Sequence, residues 1–356
     1  MKVLGIETSC DECSAAVVED GKKILSNVIA TQIPFHAQWS GVVPEIASRK
    51  HTEWIYTVVK EALDKAELEV NNIDAIAVTN RPGLFGSLLV GLNFAKAFSW
   101  ARNIPFIAVD HMLAHLYAPF LENVEHANPS NNKPTPYSPL PTPYTKYPFL
   151  GLLVSGGHTI ICKANNFDDI EVMGTTIDDA VGEAFDKVAK FYGFGYPGGA
   201  VIDKMAHNGD NDAFRFTLPS LHKGQHRYDV SYSGIKTAAT SQLEMFRVKK
   251  ETTNEDIAAS FQKTAIDILL RALLNAAEDT GLTNIVAGGG VAANSYLRAR
   301  LAEQTHLKCV FPPLELCGDN GAMIAGIGYH YLMRGDRSEL DVAALSRVTG
   351  FKKRYP

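Results

Sequence analysis

No apolar run in the 356-residue chain approaches the ~18 residues that a membrane-spanning helix needs. The opening Met1-Lys2-Val3-Leu4-Gly5 leads into a strand pattern instead of the apolar core of a signal peptide, so a soluble, cytoplasmic protein without a membrane partner is expected. Cysteine is scarce and odd in number, five in all, which fits free thiols in a reducing compartment and argues against a disulfide scaffold. The 28 glycines and 17 prolines fall well short of the share, about 25–30%, that marks a low-complexity chain. Nor is there an excess of positive charge: 34 Lys and Arg stand against 39 Asp and Glu, so the chain as a whole has no attraction for phosphate backbones. A nucleic-acid partner would need a local basic patch. Arg215, Lys223, Arg227, Lys236, Arg247, Lys249 and Lys250 supply one candidate, extended by Lys352, Lys353 and Arg354, and a solvated charged face is the alternative.

What is present is apolar residue enough, 46%, for a large core, in a chain too long for one ordinary domain. The run Val3-Leu4-Gly5-Ile6, the polar turn Glu7 to Glu12 and the run Ala15 to Val18 read as a β-hairpin with a polar tip. A similar unit recurs at Phe149 to Val154, Ser155-Gly156-Gly157-His158-Thr159 and Ile160-Ile161-Cys162. Leu4-Gly5 then aligns with Leu150-Gly151, and Ser9 falls opposite Ser155. Each half continues into a strand, a glycine-bearing turn and a helix: Ala75 to Thr79, Arg81 to Gly86 and Ser87 to Ala101 in the first, Asn284 to Ala287, Gly288 to Gly290 and a helix from about Asn294 in the second. Such turns place backbone N–H groups and a helix N-terminus at the C-terminal edge of a sheet, where nucleotides dock. The pattern predicts a duplicated α/β architecture. Between the halves, residues 128–148 hold seven prolines and almost nothing aliphatic, as an exposed linker or insertion would.

His111 and His115 stand four apart, which puts both imidazoles on one helical face, as a pair of metal ligands requires. Structural histidines are the alternative reading. A zinc protease of the H-E-x-x-H type carries a glutamate beside its first histidine, and this chain has Met112 there. Asp319 sits in a polar turn before the apolar helix Ala322 to Ile327, as a third ligand or as a helix N-cap. Cys10-Asp11-Glu12-Cys13 has CxxC spacing, but no second CxxC accompanies it and it lies in a hairpin, which disfavours redox or metal use. The carboxylates of Asp11 and Glu12 can hold a cation or take a proton at a phosphate site, or be solvated turn residues. Thr176 to Ala189 reads as a helix with Asp179, Glu183 and Asp186 on one face, where mutual repulsion is tolerated if a ligand or cation faces them. The turn Gly193 to Gly199 has too many small residues for packing alone and suggests close approach of the backbone to a ligand.

Taken together these residues resemble the tRNA N6-adenosine threonylcarbamoyltransferases, the bacterial members of the Kae1/TsaD group, within the actin, sugar kinase and Hsp70 ATPase (ASKHA) superfamily. The matches are Gly5 to Glu12, Gly41 to Arg49, His111 to His115, Val154 to His158, Asp179 to Asp186, Tyr196 to Gly199, Ser233 to Ala238, Gly288 to Asn294 and Asp319 to Ala325, in order along the chain. The resemblance implies a duplicated ASKHA fold with two lobes around a cleft. It implies one divalent metal ion, iron or zinc, held by His111, His115 and Asp319 on the cleft floor. Leu153, Val154, Ser155, Gly156, Gly157, Asp186, Gly199, Asp203 and Asn294 would contact threonylcarbamoyl-adenylate. The acceptor would be N6 of the adenosine 3′ of the anticodon in tRNAs reading codons that begin with A, and Asp11 or Glu12 would assist loss of its proton. A paralogous TsaB-like subunit and a small TsaE-like ATPase are the implied partners. The expected division is a first lobe over 1–127, an insertion over 128–148, a second lobe over 149–330 and a C-terminal extension over 331–356 that packs back on the fold. Four departures from the family pattern stand out. They are Trp39-Ser40 for Tyr-Gly, Arg81 for the glycine before Pro82, Gly318 for the threonine before Asp319, and the added Pro-rich length. Arg81 has two readings, contact with nucleic acid or plain exposure. The rival functions are an ATP-dependent small-molecule kinase of the same superfamily, which has no use for the histidine pair, a metalloprotease, which lacks its glutamate, and a non-catalytic partner subunit, which should have lost the metal residues.

Overall fold

The computed structural model describes residues 1–39, 41–123, 147–216, 221, 224–241, 252–347 and 352–353. Most of the Pro-rich segment, and Ser40, Lys223, Arg247, Lys249, Lys250 and Arg354, lie outside them. The chain divides into two compact units, Met1–Tyr144 with Pro312–Gly350 and Thr145–Phe311 with Phe351–Pro356.

In the first unit, β1 (Lys2–Glu7), β2 (Glu12–Glu19) and β3 (Lys23–Thr31) form an antiparallel meander. Beyond β1, β4 (Ala75–Arg81) and β5 (Phe106–Asp110) run parallel, and β6 (Glu122–Asn123) closes the far edge beside β3. The helices are α1 (Ile33–His36), α2 (Pro44–Lys65), α3 (Phe85–Arg102) and α4 (His111–Tyr117). Strand β1 is buried on both faces, as a near-continuous apolar run requires. Leu4 and Ile6 pack into a core with Val58, Val59 and Ala62 of α2 and Leu88 and Leu92 of α3.

The second unit repeats this order. The meander is β7 (Phe149–Val154), β8 (Thr159–Ala164) and β9 (Ile170–Thr175). Then β10 (Asn284–Gly288) and β11 (Lys308–Val310) run parallel beyond β7, and β12 (Lys352–Lys353) lies beside β9. Its helices are α5 (Val181–Tyr192), α6 (Gly198–Ala206), α7 (Ser233–Ser241), α8 (Asn254–Thr280) and α9 (Ser295–Ala302). The duplication reaches the hairpin register. Gly5 faces Ala16 in the first sheet and Gly151 faces Cys162 in the second, positions made equivalent by matching Leu4-Gly5 to Leu150-Gly151. The expected duplicated α/β fold is the observed one.

The chain then returns to the first unit as α10 (Gly321–Arg334). Residues 312–330 were expected in the second lobe; they belong to the first because α10 covers the face of its sheet opposite α2 and α3. A Cβ at Gly5 would lie 2.1 Å from the Gly321 carbonyl oxygen, and one at Gly328 would lie 2.4 Å from Ala77 Cβ. Only paired small residues allow so close an approach. Beyond α10 the chain stays on this unit through Leu345, where Ser338 N donates to Phe106 O and Leu345 N to Asn80 O, before β12 joins the second sheet. Among the described residues no helix is long and apolar enough to cross a membrane.

Candidate metal centre

Helix α4 begins where Asp110 caps it: one carboxylate oxygen accepts from Met112 N at 2.9 Å and Leu113 N at 3.4 Å. The other oxygen accepts from Arg81 Nε at 3.1 Å. A bulge between Thr79 and Arg81 sets Arg81 opposite Asp110 in the β4–β5 ladder. Arg81 is therefore not a plainly exposed residue, because a buried carboxylate at the root of α4 holds its Nε.

One helical turn stacks the two histidines with ring centroids 4.5 Å apart and planes nearly perpendicular. Their Nε2 atoms are 3.1 Å apart. Asp319 Oδ1 lies 3.1 Å from His115 Nε2 and 3.4 Å from His111 Nε2. Helix capping is not the role of Asp319, since the side chain of Asn320 caps α10 by accepting from Met323 N. Two imidazole nitrogens and a carboxylate oxygen thus converge, with the donor atoms all within 4.8 Å of one another. Nitrogen and oxygen donors in such a set suit a borderline cation such as zinc or ferrous iron. It is this convergence of donor atoms that fits the residues to a metal ion, while the buried His115 Nδ1 has no hydrogen-bond partner.

Glu7, at the end of β1, was given no role by the sequence reading and is fully buried behind His111, with Oε2 3.0 Å from His111 Nδ1. Its signal in the sequence was a carboxylate closing an otherwise apolar strand. Burial alone would depress the His111 imidazole, but the facing carboxylates of Asp319 and Glu7 outweigh it and hold it well above the ordinary histidine value. Burial pushes the carboxyls of Glu7 and Asp319 up, and the His111 charge brings both below the usual range. His115 is lowered by burial and then by its neighbour's charge.

The hairpin tip between β1 and β2 is clamped by its main chain. The Ser9 carbonyl accepts from Leu84 N at 2.7 Å, the Cys10 carbonyl lies 2.9 Å from His51 Nε2, and the Asp11 carbonyl accepts from Gln32 N at 3.0 Å. Asp11 is 7% exposed, so it is not a solvated turn residue. Burial, and then the charges of Asp11 and Asp319, raise the Glu12 carboxyl well above its usual value. Burial also pushes the Cys10 and Cys13 thiols up, Cys13 to about 12, against nucleophilic or redox use of the CxxC.

In the second unit the residues expected at the nucleotide fall into three groups. Leu153 and Val154 are fully buried at the end of β7. The next turn is closed by Ser155 N donating to the His158 carbonyl at 2.8 Å, and Gly182 lets α5 abut it, since a Cβ there would sit 2.6 Å from Ser155 O. Gly156, Gly157 and Gly199 each face open space. Asp186 accepts from Gly198 N at 2.7 Å, and Gly198 itself is required by packing, with Ala189 Cβ 2.7 Å from where its Cβ would be. Asp203 accepts from Asn294 Nδ2 at 3.2 Å and Ser295 Oγ at 2.7 Å. Asn294 also donates to Gln262 Oε1 at 2.8 Å, a residue the sequence reading missed because it lies mid-helix among apolar neighbours.

Two expectations are corrected. Helix α5 starts at Val181, and Asp179 lies before it. Two of the three acids are answered by lysines: Lys187 Nζ is 2.7 Å from Asp179 and 2.8 Å from Glu183, and Lys236 pairs with Asp179 as well. Two described members of the basic stretch are likewise committed to acids, Lys236 to Asp179 and Arg227 to Asp279.

The model of the family described as tRNA N6-adenosine threonylcarbamoyltransferase matches residues 23–132 and 136–326. A protein of that name from Treponema denticola is 64% identical over 355 residues, covering 99% of both chains. Another, from Treponema pallidum, is 55% identical over 99% of this chain and 95% of its own. Among solved structures, component A of the (R)-2-hydroxyglutaryl-CoA dehydratase of Acidaminococcus fermentans shares the fold alone, with a TM-score of 0.53 at 14% identity over 94% of this chain and 99% of that one. With the histidine pair and Asp319 inside the matched span, and relatives alike from end to end, this chain is a transferase that belongs to the tRNA N6-adenosine threonylcarbamoyltransferase family.

Proposed function

We propose that the chain transfers the threonylcarbamoyl group of threonylcarbamoyl-adenylate to N6 of the adenosine 3′ of the anticodon in tRNAs reading codons that begin with A, forming N6-threonylcarbamoyladenosine. One observation carries the site assignment, the convergence of His111 Nε2, His115 Nε2 and Asp319 Oδ1. Those residues would hold a single divalent ion, ferrous iron in preference to zinc. When bound, such an ion supplies a template and a Lewis acid for charge on the carbamoyl oxygen, with no need to generate hydroxide.

The mixed anhydride is already activated, so the work left to the protein is positioning and charge stabilisation. Ser155, Gly156 and Gly157 would receive the adenylate through their turn, with Asp186, Gly199, Asp203 and Asn294 at its other edges and Leu153 and Val154 supporting the turn from the end of β7. The attacking aromatic amine must lose a proton. Asp11 or Glu12 would assist that loss, and burial with the neighbouring carboxylates raises the affinity of Glu12 for a proton. The kinase alternative is not favoured, since the matched family is named for transfer of a threonylcarbamoyl group and not of a phosphoryl group. A cytoplasmic location, with a TsaB-like subunit and a TsaE-like ATPase as partners, completes the reading.

The test incubates the purified chain with threonylcarbamoyl-adenylate, an unmodified tRNA and the partner subunits, followed by nucleoside mass spectrometry. Modified adenosine from the wild type and background levels from His111→Ala are expected. No product from a folded, metal-loaded wild type would overturn the reading.

A further inference from the structure

We propose that Glu7 is a positioning residue that decides which nitrogen of His111 is offered to a metal ion; this rests on the metal site proposed above. An imidazole can present either nitrogen, and the partner of the other one sets the choice. Glu7 is 0% exposed, and among the described residues the ion pair it makes is with His111. Its oxygens are fully engaged. Oε1 accepts from Ser9 N at 2.5 Å, and Oε2 accepts from Thr79 Oγ1 at 2.5 Å while facing His111 Nδ1 at 3.0 Å. An ionised carboxylate only accepts, so the proton must reside on Nδ1. Ser9 Oγ, 3.3 Å from the same nitrogen, adds a longer second acceptor. With Nδ1 committed to Glu7, Nε2 is the nitrogen turned toward His115 and Asp319.

His115 is built differently, because its buried Nδ1 has no partner. The two ligands are therefore unequal: His111 is set in advance by β1, and His115 takes its orientation from the site. Glutamine at position 7 cannot reproduce the arrangement. If its carbonyl serves Ser9 N, its amide faces His111 Nδ1 and favours the wrong tautomer. If its carbonyl serves His111, two donors meet at Ser9.

The experiment measures Zn2+ affinity by chelator competition for the full-length wild type, Glu7→Gln and His111→Ala, with the melting temperature of each metal-free protein. A folded Glu7→Gln protein should bind Zn2+ about 10–100-fold more weakly than wild type. Independently of that variant, nitrogen-15 histidine spectra of the Zn2+-loaded wild type should show His111 bound through Nε2 with its Nδ1 protonated. Unchanged affinity in folded Glu7→Gln, or His111 bound through Nδ1, would overturn the inference and leave the metal site standing. Failure of the wild type to bind, or binding by His111→Ala equal to wild type, would overturn the metal site and this inference with it.

Discussion

A buried carboxylate is tolerable only when something answers each of its oxygens. Asp110 is 2% exposed and satisfies this with two main-chain N–H groups of α4 on one oxygen and Arg81 on the other. Arg81→Ala strands the second oxygen, and a loss of about 1–3 kcal/mol in urea unfolding is expected. Asn320 is the corresponding control point on the other ligand, because it caps α10 directly after Asp319. Asn320→Ala should cost about 1 kcal/mol by the same measurement. At this scale the sequence was informative where chemistry and spacing coincide within one helix, as for His111 and His115. It was uninformative where the partner is remote: Arg81 meets Asp110 through a strand bulge, and Glu7 meets His111 from a different strand.

Whole elements depend on two further contacts. Helix α10 lies on β1 through glycine against glycine, with no room for a methyl group between them. Gly5→Ala should destabilise the protein by about 3 kcal/mol, the upper end of ordinary overpacking, in a thermal melt. In the second unit Asp178 gathers the start of α7, accepting from Ser231 Oγ at 2.5 Å, Tyr232 N at 2.8 Å and Ser233 Oγ at 2.8 Å. Burial opposes its ionisation, but those hydrogen bonds outweigh it and set the carboxyl below its usual value. The stabilisation it lends is complete above the unfolded carboxyl value of about 4 and is lost as pH falls through the lowered folded value. Hydrogen-exchange protection at α7, corrected for the intrinsic rate at each pH, should therefore fall below about pH 4 in wild type, and Asp178→Asn should remove most of that pH dependence. The strands and most helices were legible because their apolar periods are long. The partner of Asp179 that the sequence did not show is Lys236, distant in the chain, whereas Lys187, which pairs with Asp179 and Glu183, is local.

For the molecule as a whole, the return of residues 312–350 to the first unit is the decisive feature. A chain ending at Phe311 loses Asp319 and uncovers the face of the first sheet that α10 buries. Such a truncation should bind a hydrophobic dye and elute as aggregate, where the full chain does neither; a well-folded truncated protein would contradict the packing described here. The sequence alone determined the duplicated α/β plan and the two hairpins, β1–β2 and β7–β8, because strand and turn chemistry act over a few residues at a time. It also determined the histidine pair, because one helical turn is local geometry. Only the tertiary structure decided that Asp319 shares a unit with those histidines, that Glu7 stands behind them and that Arg81 secures their helix. Each of these depends on contacts between residues far apart in the chain, and local periodicity carries no record of such distances.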